Sequence, residues 1–333
     1  MTSRARVARA LWIVEPGRAE LRSETLPEPQ GDQVLVEATF SALSRGTEGL
    51  VFRGGVPPEL HASMRCPHQA GELSLPVKYG YCSVGRVLAG AAPAGQRVFC
   101  LHPHQDRYLV PAAALVELPE SVPDRRAVLA ANMETAVNGL WDAAPLVGSR
   151  VAVIGAGAVG LLSASLLRRL PGVDLEVVEI AADKDQLCRE LGLRCVRPSV
   201  ARGDCDLVLH ASGSPAGLDT ALELAGFEAT IVELSWYGDR AVSLRLGSRF
   251  HNGRFRILSS QVGSVAPSQR SRWSYRRRME LALQLLGDPA YDALLAPPVP
   301  FERLPEALPG LFARAGSTVT ELIEYTPQPP VSA

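Results

Sequence analysis

A chain of 333 residues is too long for one ordinary core, so two domains are the default expectation. Its 47% hydrophobic and 21% charged residues are typical of a soluble globular protein, and a formal net charge of −1 gives no whole-molecule argument for binding nucleic acid or an acidic membrane. No run approaches the ~20 apolar residues needed to span a bilayer. The basic N-terminus, MTSRARVARALWIVEPG, has too short an apolar part for a secretory signal, so the expected compartment is the cytoplasm.

Up to about Leu118 the chain reads as short strands between Pro/Gly-rich turns, with QVLVEATFSAL (33–43), YCSVGRVLAG (81–90) and QRVFCL (96–101) as the β-rich runs. Between Gly49 and Pro76 no period is visible, and a long surface loop is expected there. From Val151 the texture changes. RVAVIGAG reads as a buried strand and AVGLLSASLLRRL as a helix, followed by the strand DLEVVEI and the helix DKDQLCRELG. A third strand (DCDLVLHASG), a third helix (LDTALELA) and a fourth strand (EATIVELSW) follow. Strands alternating with helices predict a parallel sheet with right-handed crossovers. RMELALQLL (278–286) reads as a late helix and TVTELIEY (318–325) as a strand returning to the first domain. The six cysteines form no CxxC pair and have no histidines at zinc-finger spacing, so they are expected to be reduced, small apolar fillers.

The most specific motif is VAVIGAGAVG, with Gly155, Gly157 and Gly160 directly after a strand and directly before a helix. Gly155 permits the tight turn, Gly157 lets backbone amides approach a pyrophosphate, and Gly160 lets the helix pack on the sheet. The helix N-terminus then favours the phosphate charge, with Ala156, Ala158 and Val159 in the same loop. The next strand ends at Glu179, 19 residues beyond Gly160, where a carboxylate would bind the ribose hydroxyls. That carboxylate would also repel a 2′-phosphate, and no Arg follows it in EIAADKD, so NAD is favoured over NADP. Lys184 would lie near the adenosine ribose with either cofactor. Ala211, Ser212 and Gly213, Ser235, and Gly263 fall at or just after strand ends and are further candidate cofactor contacts.

A β-rich first half followed by this βαβ unit resembles the medium-chain dehydrogenase/reductase superfamily, and the resemblance covers nearly the whole chain. PEPQGDQVLVEATFSALSRGTE resembles the opening strands, LPVKYGYCSVGRVLAG the metal-site segment, and FERLPEALPGLFARAGSTVTELIEY the C-terminal return. SRGTE and YGYCSVGRV look closest to the bacteriochlorophyllide-dehydrogenase-like branch. The resemblance implies a two-domain α/β protein. A GroES-like catalytic domain would span 1–120 and resume at 292–333, and a Rossmann doubly wound domain would span 121–291. The active site is expected in the cleft between them, and a homodimer is expected.

The zinc-dependent members need three ligands and one open position. Here the first ligand position falls on Ser44 or Arg45, the second on Tyr81 with Cys82 beside it, and the third on Ala131. No catalytic zinc is therefore expected. Candidate catalytic groups are Tyr81 in the vacated ligand position, Thr47 as a hydroxyl near the substrate, Glu48 in place of the usual Asp, and His104 of LHPHQDRY. For Glu48 a structural ion pair, with Arg86 as a candidate partner, competes with a catalytic role, and for His102 and His104 packing competes with a place in the pocket. The run Arg270, Arg272, Arg276, Arg277 and Arg278 would suit a phosphorylated, acidic or CoA-linked substrate, or else form a solvated helix start. The expected function is a zinc-independent NAD(P)-dependent oxidoreductase acting on an activated C=C bond or a secondary alcohol or ketone. A non-catalytic cofactor-binding sensor or scaffold is the alternative. No nucleic-acid or membrane partner is expected.

Overall fold

The computed structural model describes residues 6–313 and 319–327. Met1–Ala131, Leu295–Arg314 and Thr320–Ala333 make one compact unit, and Asn132–Leu294 with Ala315–Val319 the other. Among the described residues no helix is long and apolar enough to cross a membrane.

The first unit is built on the strand Gln33–Leu43, whose alternating apolar residues Val34, Val36 and Ala38 are buried. It pairs antiparallel with Ser83–Gly90, Arg107–Pro111 and Glu321–Glu324. Gly85 stands against the Glu37 carbonyl, where an added Cβ would lie 2.4 Å away, so this strand pair closes only around a glycine. A second, four-stranded sheet is led by the hairpin of Arg6–Glu15 and Arg18–Leu26. The expected loop from Gly49 to Pro76 is partly ordered: Thr47–Phe52 is a helix, Pro58–Leu60 a 3-10 turn and Ala70–Gly71 a short strand. At six residues that helix is too short to declare a period in the sequence. Burial of Leu50, Val51 and Phe52 holds it in place.

In the second unit six strands lie parallel, in the spatial order Cys195–Val196, Asp174–Val178, Arg150–Ile154, Cys205–His210, Ala225–Glu233 and Arg256–Ser259. The chain starts in the middle and reverses between Arg150–Ile154 and Cys205–His210, which is the doubly wound arrangement. Four of these strands match the expected runs. The two edge strands do not show in the sequence, because one is only two residues long and the other is exposed along its whole length. The helix Ala130–Ala143 was likewise not expected.

Candidate active site

In the first unit three of the expected catalytic residues, Glu48, Tyr81 and His104, join one hydrogen-bonded chain. His104 is fully enclosed, with Nε2 2.8 Å from Glu48 Oε2 and Nδ1 2.8 Å from Ser41 Oγ. Ser41 Oγ is in turn 2.9 Å from the Tyr325 hydroxyl, and the Ser44 amide donates to Glu48 Oε1 at 2.8 Å. One tautomer satisfies every member. With the proton on Nε2, His104 donates to the carboxylate and accepts from Ser41, which accepts from Tyr325. Gly80 lies flat on this imidazole, an added Cβ coming 3.0 Å from its ring. Tyr81 joins through a hydrogen bond with Ser44. Burial, and next the charge of Glu48, push its phenol well above the usual tyrosine value, so it is a proton donor at neutral pH. Thr47 is half-buried at the first position of the short helix, one residue before Glu48.

One expectation about this region is corrected. Glu48 does not pair with Arg86, which reaches Asp124 instead. Of the two readings left open for His102, the structure shows packing: its ring stacks on Tyr108 with centroids 3.8 Å apart and on His68 at 5.4 Å. Sequence reasoning missed Ser41 and Tyr325, which sit 63 and 221 residues from His104 and carry no local signal.

The second unit carries the glycine cradle. Gly155 adopts φ +101 against Ser212, and an added Cβ on Gly160 would come 2.0 Å from the Gly155 carbonyl, so both are demanded by close backbone packing. Gly157 differs: a Cβ there would meet nothing within 4 Å, leaving open space at the start of the helix Ala158–Leu167. Glu179 folds over the same turn. Its Oε2 accepts from the Ala156 amide at 2.8 Å, and Oε1 from the amides of Ile180 and Ala181. Lys184 is buried in the 3-10 turn Ala182–Lys184. An arginine the local sequence does not reveal approaches from the next strand end: Arg197 donates to the Glu179 carbonyl at 2.9 Å and to both oxygens of Asp185 at 2.8 Å.

At the ends of the next two strands the Ala211 amide donates to the Ile154 carbonyl and the Gly213 amide to Ser235 Oγ at 3.0 Å. Ser212 is exposed and lies 2.6 Å from His210 Nε2. Neither His210 nor its partner Glu233 stood out in the sequence, although both end parallel strands that pair in register. The Gly263 amide donates to Gln261, and its carbonyl accepts from the Tyr275 hydroxyl. Of the expected arginine cluster, Arg278 is buried with Glu134 and Asn138, Arg276 pairs with Glu280, and Arg277 stacks on Trp273. Arg278 is therefore not a ligand contact.

No protein-family model matches the chain. It is 28% identical over 125 residues to an L-threonine 3-dehydrogenase of Ruegeria pomeroyi, a match covering 38% of this chain and about a third (36%) of that enzyme. With the D-guloside 3-dehydrogenase of Escherichia coli K12 it shares 23% identity over 308 residues, 83% of this chain and 88% of that one. An alcohol dehydrogenase of Escherichia coli CFT073, solved with NADH, superposes with a TM-score of 0.75 over 96% of this chain and 99% of its own at 16% identity. The fold, an antiparallel β unit and a doubly wound parallel-sheet unit, is that of this dehydrogenase structure.

A zinc ion in a medium-chain dehydrogenase would need thiolate, imidazole or carboxylate donors converging on one point. The positions that the resemblance assigns to it hold Ser44 or Arg45, Tyr81 and Ala131, and Ala131 has no side-chain donor atom. Among the described residues no three His, Cys, Asp or Glu side chains group together. Glu48 and His104 already satisfy one another. These residues do not fit a catalytic zinc. They do fit a dinucleotide, because the one open glycine in the cradle is where a pyrophosphate must approach the backbone.

Proposed function

We propose that this protein is a zinc-independent, NAD(P)-dependent oxidoreductase acting on a small organic substrate, either an activated C=C bond or a secondary alcohol or ketone. The observation that carries the reading is the cradle: two glycines locked by packing, a third left open, and Glu179 set over the turn. Names shared by the relatives, all dehydrogenases, support the same reaction class. A bound nicotinamide supplies hydride exchange. The rest falls to this chain. The Gly157 turn and the helix it opens hold the diphosphate, while Glu179 accepts from the adenosine ribose and disfavours a 2′-phosphate, which favours NAD. Ala211, Ser212, Gly213 and Ser235 border the same strand ends.

Proton handling belongs to the first unit. Tyr81 donates to the substrate oxygen, with Thr47 as the neighbouring hydroxyl. Tyr81, hydrogen-bonded to Ser44, gives that proton in reduction and takes it back from the alcohol in oxidation. The segments SRGTE and YGYCSVGRV support a place nearest the bacteriochlorophyllide-dehydrogenase-like branch. A cytoplasmic homodimer is the accompanying expectation.

Fluorescence titration of the purified protein with NADH and NADPH tests the cofactor, and NADH is expected to bind more tightly. Absence of binding by either overturns the reading. With an accepted substrate in hand, Tyr81→Phe should lower kcat by about 10-fold or more while leaving NADH affinity intact. Unchanged turnover would make Tyr81 a pocket filler.

A further inference from the structure

At the strand ends of the second unit lies an arrangement that dinucleotide binding does not require. His210 and Glu233 end two neighbouring parallel strands and face each other in register. His210 is completely buried. Its Nδ1 lies 2.9 and 2.8 Å from the two Glu233 oxygens, and its Nε2 lies 2.6 Å from Ser212 Oγ. Glu233 is itself held from two further sides, by the Ser235 amide at 2.7 Å and the Tyr237 hydroxyl at 3.1 Å. The glutamate therefore fixes the proton on Nδ1, which leaves Nε2 as an acceptor aimed at the serine hydroxyl.

Two neighbours prepare the serine. Ser212 is exposed, and the Ser214 amide donates to its oxygen at 3.2 Å, which favours negative charge there. Gly217 makes the contact possible: a Cβ at that position would stand 2.3 Å from Ser212 Oγ and 2.8 Å from His210 Nε2. Gly217 also lies in the first turn of the ten-residue helix Pro215–Leu224, whose N-cap residue Ser214 gives that turn no side-chain cap. The uncapped end of a helix is where an oxyanion is stabilised.

We propose that Ser212, His210 and Glu233 form a nucleophilic triad that accepts an acyl group from an activated ester. Ser212 Oγ bonds to the acyl carbon as the bond from that carbon to the leaving oxygen breaks. The serine proton moves to His210 Nε2 and then to the leaving alcohol. Water next attacks the acyl-serine and loses its proton to His210. The bond to Ser212 Oγ breaks, and His210 returns a proton to the serine.

The protein is incubated without cofactor with a fluorophosphonate probe and, separately, with p-nitrophenyl acetate. Labelling at Ser212 and a burst of p-nitrophenol approaching one per chain are expected. Ser212→Ala should abolish both, and Glu233→Gln should slow labelling by about 10-fold or more. Labelling that is absent, or that persists in Ser212→Ala, overturns the proposal. Circular dichroism of each variant separates misfolding from lost reactivity, and the parent protein alone decides the case if a variant fails to fold. NADH titration of the same parent sample reads the cofactor assignment independently, so failure of one leaves the other standing.

Discussion

Burial holds the His102 imidazole well below the usual histidine value of 6.5, with the charges of His68 and Lys78 acting in the same direction. Its ring stacks on Tyr108 and His68, which keeps water from a ring proton, and the Pro103 carbonyl 2.9 Å from Nδ1 only partly offsets that loss. In the unfolded chain the same ring takes up a proton near its ordinary value. Below pH ~6.5 the unfolded state therefore binds more protons than the native state, and stability falls as pH drops from there towards the depressed native value. The slope from this one group approaches about 1.4 kcal/mol per pH unit. His102→Phe keeps the stacked ring and removes the proton site, so its melting temperature should fall less steeply on acidification than that of the parent. Parallel curves would show that His102 does not carry the acid sensitivity.

The glycine turn separates two demands that its sequence pattern presents as one. Gly160 serves packing: a methyl there would overlap the Gly155 carbonyl at 2.0 Å. Gly160→Ala should lower unfolding free energy by about 2 kcal/mol or more, since neither the turn nor the helix can withdraw. Gly157 meets no such packing demand, because a methyl there meets no protein atom within 4 Å, and the proposed dinucleotide is what would need it. Gly157→Ala should stay within about 1 kcal/mol of the parent in urea denaturation. It should nevertheless weaken NADH binding at least ~10-fold, as the methyl occupies the approach of the pyrophosphate. Equal NADH affinity in Gly157→Ala and the parent would show that phosphate does not bind at this turn.

On the scale of the molecule, the interior of the second unit is tied by a buried charge. Arg278, 1% exposed, bonds Glu134 at 3.0 Å, Asn138 at 2.5 Å, and the carbonyls of Val262 and Ser264 at 2.6 and 3.3 Å. It thereby joins the helices Ala130–Ala143 and Tyr275–Leu285 to the loop after the edge strand. Burial raises the Glu134 carboxyl, and Arg278 opposes that rise. Arg278→Met strands the carboxylate and should cost about 3–5 kcal/mol in denaturant titration. Glu134→Leu with Arg278→Met should recover most of that loss, because neither charge is then buried alone. A double variant as unstable as the single would place the cost in packing.

What was legible followed from local rules. The glycine spacing, the carboxylate at the end of the next strand and the alternation of strands with helices each rest on neighbours in sequence, and they determined the parallel sheet and its cradle by themselves. The residues at the ligand positions that the resemblance assigns, Ser44 or Arg45, Tyr81 and Ala131, are read from the sequence in the same way. The short helix Thr47–Phe52 and the exposed strand Arg256–Ser259 were not, because six and four residues are too few to display a period. The side-chain networks lay further out of reach. Glu48 with His104 joins residues 56 apart, and Tyr325 reaches Ser41 from 284 residues away. His210 meets Glu233 only because two parallel strands end level with one another. Backbone geometry propagates along the chain, so sequence alone determined the glycine turn between the first parallel strand and its helix. Charges and protons are shared across space, so only the tertiary structure decided which side chains hold them.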